Sequence, residues 1–114
     1  SQFISFLQEK NPNVFISLSE NEGIPYSIME SISLGIPVIA TDAGGCREIC
    51  TSQTGVLLPL EINHDAIALA LENFKNSEMN TAKFKIQVKQ FWESNFNADN
   101  NFNDFTKILN QYKE

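Results

Sequence analysis

Basic charge is scarce in this chain of 114 residues: eight Lys and Arg stand against fourteen Asp and Glu, and Arg47 is the one arginine. The resulting net charge of −6 excludes non-specific nucleic-acid binding, which needs clustered Lys and Arg to neutralise phosphates. No apolar run approaches membrane-spanning length, and no signal-peptide pattern is present. Cysteine is almost as rare. Cys46 and Cys50 lie four apart on a predicted helix, on one face, where a disulfide is geometrically poor. They read as free, buried thiols of a reducing compartment. The single histidine, His64 in "INHDAIA", reads as a solvated helix-start residue rather than a catalytic one. No Cys/His cluster has ligand spacing and Asp42 has no partner carboxylate nearby in sequence, so no metal site is expected. Repeats, low-complexity tracts and internal linkers are also missing.

What is there is a globular composition, 42% hydrophobic and 19% charged, enough for one domain at most with a modest core. The chain opens on Ser1 and enters at once what reads as the tail of a helix, Phe3 to Leu7, as expected of a piece of a longer polypeptide. Frequent Asn beside Ile, Phe and Lys is the pattern of an AT-rich genome and points to a low-GC bacterium.

Val14 to Leu18 follows the turn cluster Asn11-Pro12-Asn13 and reads as a buried strand. From Tyr26 to Leu34 the pattern becomes helical, with Ile28 and Ile32 four apart and Gly35 as the stop. Val38 to Thr41 is a second strand, Asp42 to Gly45 a turn into a short helix through Cys50, and Gly55 to Pro59 a third strand. Short, wholly apolar strands alternating with helices predict an α/β fold, a Rossmann-like parallel sheet covered on both faces. Ligands of such sheets bind beyond the carboxyl ends of the strands. The loops at that edge are Ser19 to Pro25, Asp42 to Gly45 and Pro59 to Asn63.

The remainder, residues 63 to 114, reads as closing helices. Ile67, Leu71 and Phe74 form one stripe, and Phe84, Val88, Phe91 and Trp92 a second. A helix over about residues 98 to 112, with Asn97 as its N-cap, carries Phe102, Phe105, Ile108, Leu109 and Tyr112 on one side. These aromatics read as core stripes. Lys83, Lys85 and Lys89 make a short basic patch, by default a solvated face, with docking to an anionic membrane surface as the functional reading.

The stretch "SENEGIPYSIME", residues 19 to 30, is the candidate site. A helix starting near Pro25 or Tyr26 offers unpaired N–H groups and the positive end of its dipole, an arrangement suited to phosphate. Gly23 permits close approach of a ligand, and Pro25 suits the first helical position. Glu30, in the second turn, has two readings. It is either a carboxylate favoured by the dipole or an acceptor for the hydroxyls of a ribose. Glu22 is either a solvated loop charge or a partner for a hydroxyl of a bound group. No glycine-rich phosphate loop of the standard patterns accompanies them.

The ordered string "SENEGIPYSIMESISLGIPVIATDAGGCREI", continuing to "TGVLLP", resembles the C-terminal half-domain of retaining glycosyltransferases of the GT-B architecture, glycosyltransferase family 4. Those proteins carry a Glu, seven residues, a second Glu, a small-residue helix, Gly-x-Pro-Val, a strand and a Gly-Gly turn. The match covers about residues 13 to 60, and "QFWESNFNADNNFNDFTKIL" is similar to the closing helices of bacterial exopolysaccharide-type members.

The resemblance implies that Glu22 is the first motif glutamate, near the transferred sugar, and that Glu30 is the second, on the nucleotide ribose. It implies that the backbone of Gly23, Ile24, Pro25 and Tyr26 meets the donor's sugar and phosphates. The Thr41 to Gly45 loop would line the same edge, with Glu48 in a structural place. The activity implied is transfer of a sugar from a nucleoside-diphosphate sugar to a glycan or lipid-linked acceptor, with retention and without a metal or other cofactor. Cell-surface polysaccharide synthesis and a cytoplasmic location, peripheral to the inner membrane face, go with it. The Arg and Lys that serve the diphosphate in such proteins would lie upstream of Ser1, as would the acceptor-binding N-terminal domain. This chain is therefore expected to be a fragment holding part of the donor site, inactive by itself. Its last helix, facing the missing domain in relatives, could pair with another copy. Pro25, Tyr26 and Ser31 depart from the commonest residues of the motif. Two alternatives stand beside this reading: a non-catalytic nucleotide-binding or interaction module on a Rossmann-like scaffold, and a response-regulator-like domain, which lacks support because no acidic cluster follows the first strand.

Overall fold

The computed structural model describes residues 2–18 and 26–95. Helix α1, Gln2–Lys10, runs one turn beyond the expected Phe3 to Leu7. Asn11, with φ 45°, ends it in the left-handed conformation that Asn tolerates, and its N–H donates to the Leu7 carbonyl at 2.8 Å. Leu7 is its buried residue, and the Phe3 ring meets Phe15 edge-on with centroids 5.3 Å apart. Pro12 then blocks any further helix.

Three strands follow: β1 Phe15–Ser17, β2 Val38–Thr41 and β3 Gly55–Leu58. They form one parallel sheet in the order β1-β2-β3. Phe15 pairs with Val38, Ser17 with Ala40, and Thr41 with Leu58, so the three strands end along one edge. Helix α2, Tyr26–Ser33, connects β1 to β2, and the four-residue α3, Cys46–Ile49, connects β2 to β3. The expected α/β architecture, a parallel sheet flanked by helices, is what the chain forms. β1 is shorter than the apolar run Val14 to Leu18, and Pro59 lies outside β3.

The side chains of β2 are all buried and alternate between the faces of the sheet. Val38 and Ala40 enter a core with Ile28, Met29 and Ile32 of α2, and with Cys46 and Ile49 of α3. Phe84 and Val88 close this layer from α5, Ala82–Asn95. Ile39 faces the other way, with Leu58 and with Phe74 of α4, His64–Lys75. Each fully buried Ile contributes about 1.5–3 kcal/mol by leaving water, which places most of the stability on the α2, α3 and α5 side.

The stripe expected of Ile67, Leu71 and Phe74 is only partly buried. Phe74 is covered, Ile67 half-covered, and Leu71 exposed. A single helix lies on that face of a three-stranded sheet, so its flanks find no second apolar layer among the described residues. The second stripe holds: Phe84 and Val88 are buried, and Phe91 and Trp92 pack against the same core. Lys85 corrects the solvated-face reading of the basic patch. Its Nζ donates to the Pro12 carbonyl at 3.1 Å and its side chain is half-buried, tying α5 to the α1–β1 turn.

Candidate functional site

The carboxyl edge of the sheet carries the candidate site. Tyr26 opens α2 there and is 55% exposed. Glu30 lies one turn further along the same face of the helix and is half-buried. The helix forms here because Ile28, Met29 and Ile32 fall on the side that meets β2, with Tyr26 and Ser27 left outside. Ser31 is fully buried, yet its Oγ donates to the Ser27 carbonyl at 2.8 Å, so the hydroxyl costs the core little. Ser33 Oγ donates to the Glu30 carbonyl at 2.6 Å. Of the predicted site residues, Tyr26, exposed, and Glu30, half-buried, are thus placed on one helix face at the sheet edge. Glu22, Gly23, Ile24 and Pro25 lie outside the described residues, as do Asn97 and the apolar positions from Phe102 to Tyr112.

The second loop of that edge follows β2. The Asp42 N–H donates to the Leu58 carbonyl at 2.9 Å, continuing the sheet by one bond, and the Ala43 N–H donates to Thr41 at 2.8 Å. Gly44 takes φ 54°, and the Cys46 N–H closes the turn on the Ala43 carbonyl at 3.1 Å. Gly45 precedes α3 with no side-chain cap. Arg47 reaches back to Asp42 with both arms of its fork, Nε to Oδ1 at 3.1 Å and Nη2 to Oδ2 at 2.7 Å. Sequence reading missed this pair, although an Asp five residues before the one arginine, across a Gly-Gly turn, was its trace. Glu48 is half-buried, and its backbone N–H donates to the Gly45 carbonyl at 3.1 Å.

The third loop, Pro59 to Asn63, ends in a helix cap. The Asn63 side-chain oxygen accepts from the Ala66 N–H at 2.8 Å, and Asp65 stands in the first turn of α4. His64 is exposed at the start of α4, as expected. A groove of about 600 Å³ opens beneath this loop between β3 and α4, with Val56, Leu58, Ile62 and Phe74 among its walls. It belongs to the sheet face opposite α2 and is apart from Tyr26 and Glu30.

Cys46 and Cys50 are buried and not joined in a disulfide, as the sequence suggested, although α3 ends at Ile49 and Cys50 is its cap. Burial pushes the Cys50 thiol up to about 12, with the neighbouring Cys46 adding to the shift and a backbone hydrogen bond at Ala40 opposing it. The thiol is protonated and unreactive at neutral pH. Among the described residues no three His, Cys, Asp or Glu side chains converge on a metal-sized site, and no helix is long and apolar enough to cross a membrane.

Comparison with known proteins finds relatives among glycosyltransferases and polysaccharide biosynthesis proteins. A stretch of 61 residues is 43% identical to a GDP-mannose-dependent alpha-mannosyltransferase of Mycobacterium tuberculosis, covering 49% of this chain and 16% of that protein. The Vi polysaccharide biosynthesis protein VipC/TviE of Salmonella typhi is 29% identical over 100 residues, 85% of this chain and 17% of its own length. A putative colanic acid biosynthesis glycosyltransferase, WcaL of Escherichia coli, is 32% identical over 101 residues, 88% of this chain and 23% of its own. The chain therefore spans less than a quarter of the length of these three relatives. No solved structure matches it significantly. The model of the family described as "Glycosyl transferases group 1" matches residues 2–91, from α1 into α5 and across the whole sheet, and the chain belongs to that family.

Proposed function

We propose that this chain is the nucleotide-sugar-binding part of a retaining GT-B glycosyltransferase of family 4, working in bacterial cell-surface polysaccharide synthesis. The observation that carries the reading is the placement of Tyr26 and Glu30 on one face of α2, where that helix starts at the carboxyl edge of a parallel sheet. The donor is a nucleoside-diphosphate sugar, and the acceptor is a glycan or a lipid-linked glycan. Glu30 accepts hydrogen bonds from the ribose hydroxyls, a task for a carboxylate that stands one turn inside the helix. Glu22 lies by the transferred sugar, and the backbone of Gly23, Ile24, Pro25 and Tyr26 meets sugar and phosphates.

A departing nucleoside diphosphate gathers negative charge, which must be stabilised. In this reading no metal does so; the N–H groups at the start of α2 and the helix dipole supply part of the stabilisation. The remaining cations, and the acceptor-binding domain, come from the rest of the polypeptide, which acts in the cytoplasm at the inner face of the membrane. Residues 1 to 114 alone then hold a share of the donor site without turnover.

Calorimetry of the complete polypeptide against a panel of nucleoside-diphosphate sugars tests this. One donor is expected to bind, Glu30→Gln to weaken it about tenfold, and Glu22→Gln to lower turnover about a hundredfold with smaller effect on binding. Binding of none of the donors, or full activity in both variants, would sink the reading.

A further inference from the structure

Resting on that donor reading, we propose that Arg47 is a positioning residue for the diphosphate. It acts by masking the Asp42 carboxylate across the Gly44-Gly45 turn, at the sheet edge that carries the site. The two hydrogen bonds of the pair, 3.1 and 2.7 Å, bridge the residues on either side of the turn. One end of the bridge is fixed to the sheet by the bond from the Asp42 N–H to Leu58, and the other to the core by Cys46 and Ile49. Between them stand two glycines, the residues whose backbone loses most freedom when ordered. A bidentate Arg–carboxylate fork sets direction as well as distance, which a Lys in that place would not.

The pair does little for the fold itself. Arg47 is 59% exposed and Asp42 27%, and ion pairs so open to water contribute little to stability. Its effect is local. Asp42 directly follows the central strand at the edge where an anionic diphosphate is to bind, in a chain of net charge −6. Left without its guanidinium, that carboxylate would repel the ligand.

The test is the affinity of the complete polypeptide for a nucleoside diphosphate and, separately, for the parent nucleoside. Arg47→Gln is expected to weaken the diphosphate about tenfold while the nucleoside changes by less than about twofold. Asp42→Asn combined with Arg47→Gln is expected to regain most of the loss, because the repelling charge has gone with its mask. A double variant as weak as the single one would overturn the proposal, since Arg47 would then touch the phosphate directly or hold the fold. Equal losses for nucleoside and diphosphate, or undiminished binding by Arg47→Gln, would also overturn it while leaving the donor reading intact. A wild-type protein that binds no diphosphate would overturn both.

Discussion

Gly35 shows how much a single residue settles. Its φ of 79° is a left-handed conformation, and a Cβ there would stand 2.7 Å from the Lys85 carbonyl oxygen. Its N–H donates to Ile32 at 3.0 Å and the Ile36 N–H to Ser31 at 3.0 Å, the paired bonds that close a helix on glycine. Gly35→Ala should therefore cost about 1–3 kcal/mol, measured as a shift of the urea midpoint, because it strains the turn and presses α5 off α2. Cys50 allows a second prediction. Its thiol is raised from 9.0 to about 12 by burial, so the folded state holds a proton that the unfolded state releases above pH 9. Stability is then constant below that pH and falls as pH rises beyond it, by at most ~1.4 kcal/mol per unit. Denaturation from pH 8 to 10.5 should show this slope in the native protein and lose it in Cys50→Ala. Both residues were singled out in the sequence, Gly35 as a stop and Cys50 as an inert thiol. The close approach of α5 to Gly35 was not legible, because it joins positions 50 residues apart.

Secondary elements divide in the same way. α2 was readable almost to the residue, since its apolar positions recur every three or four residues and Gly35 ends it. α4 was readable as a helix, but its burial was not. Periodicity names the apolar stripe without saying how wide the surface beneath it is, and Leu69 and Leu71 remain exposed. The start of α4 gives a clean test at this scale. Asn63→Ala removes the acceptor of the Ala66 N–H bond and should cost about 1 kcal/mol in thermal or chemical unfolding, with affinity for a nucleoside diphosphate unchanged. A loss of that affinity would mean that the loop from Pro59 to Asn63 also meets the ligand.

At the scale of the whole molecule, the stability of the described residues is concentrated around β2 and the layer of α2, α3 and α5. Ile32 is fully buried there, while Leu69 is 61% exposed on the opposite side. Ile32→Ala should cost about 2–5 kcal/mol and Leu69→Ala less than about 0.5 kcal/mol, a contrast that denaturant titration of the two variants resolves. Ile32 lies directly behind the face that bears Glu30, so its truncation should also loosen the candidate site, whereas Leu69→Ala should leave it intact.

The fold class, the succession of elements and the presence of Tyr26 and Glu30 on one helix were determined by the sequence, through short apolar runs, a 3.6-residue period and the turn residues between them. These are local properties, carried by neighbours along the chain. Tertiary structure alone decided that Lys85 ties α5 to Pro12 and that the Lys85 backbone comes to rest against Gly35. Each depends on where separate elements come to rest, which follows from how their apolar faces pack rather than from any pattern within a single one.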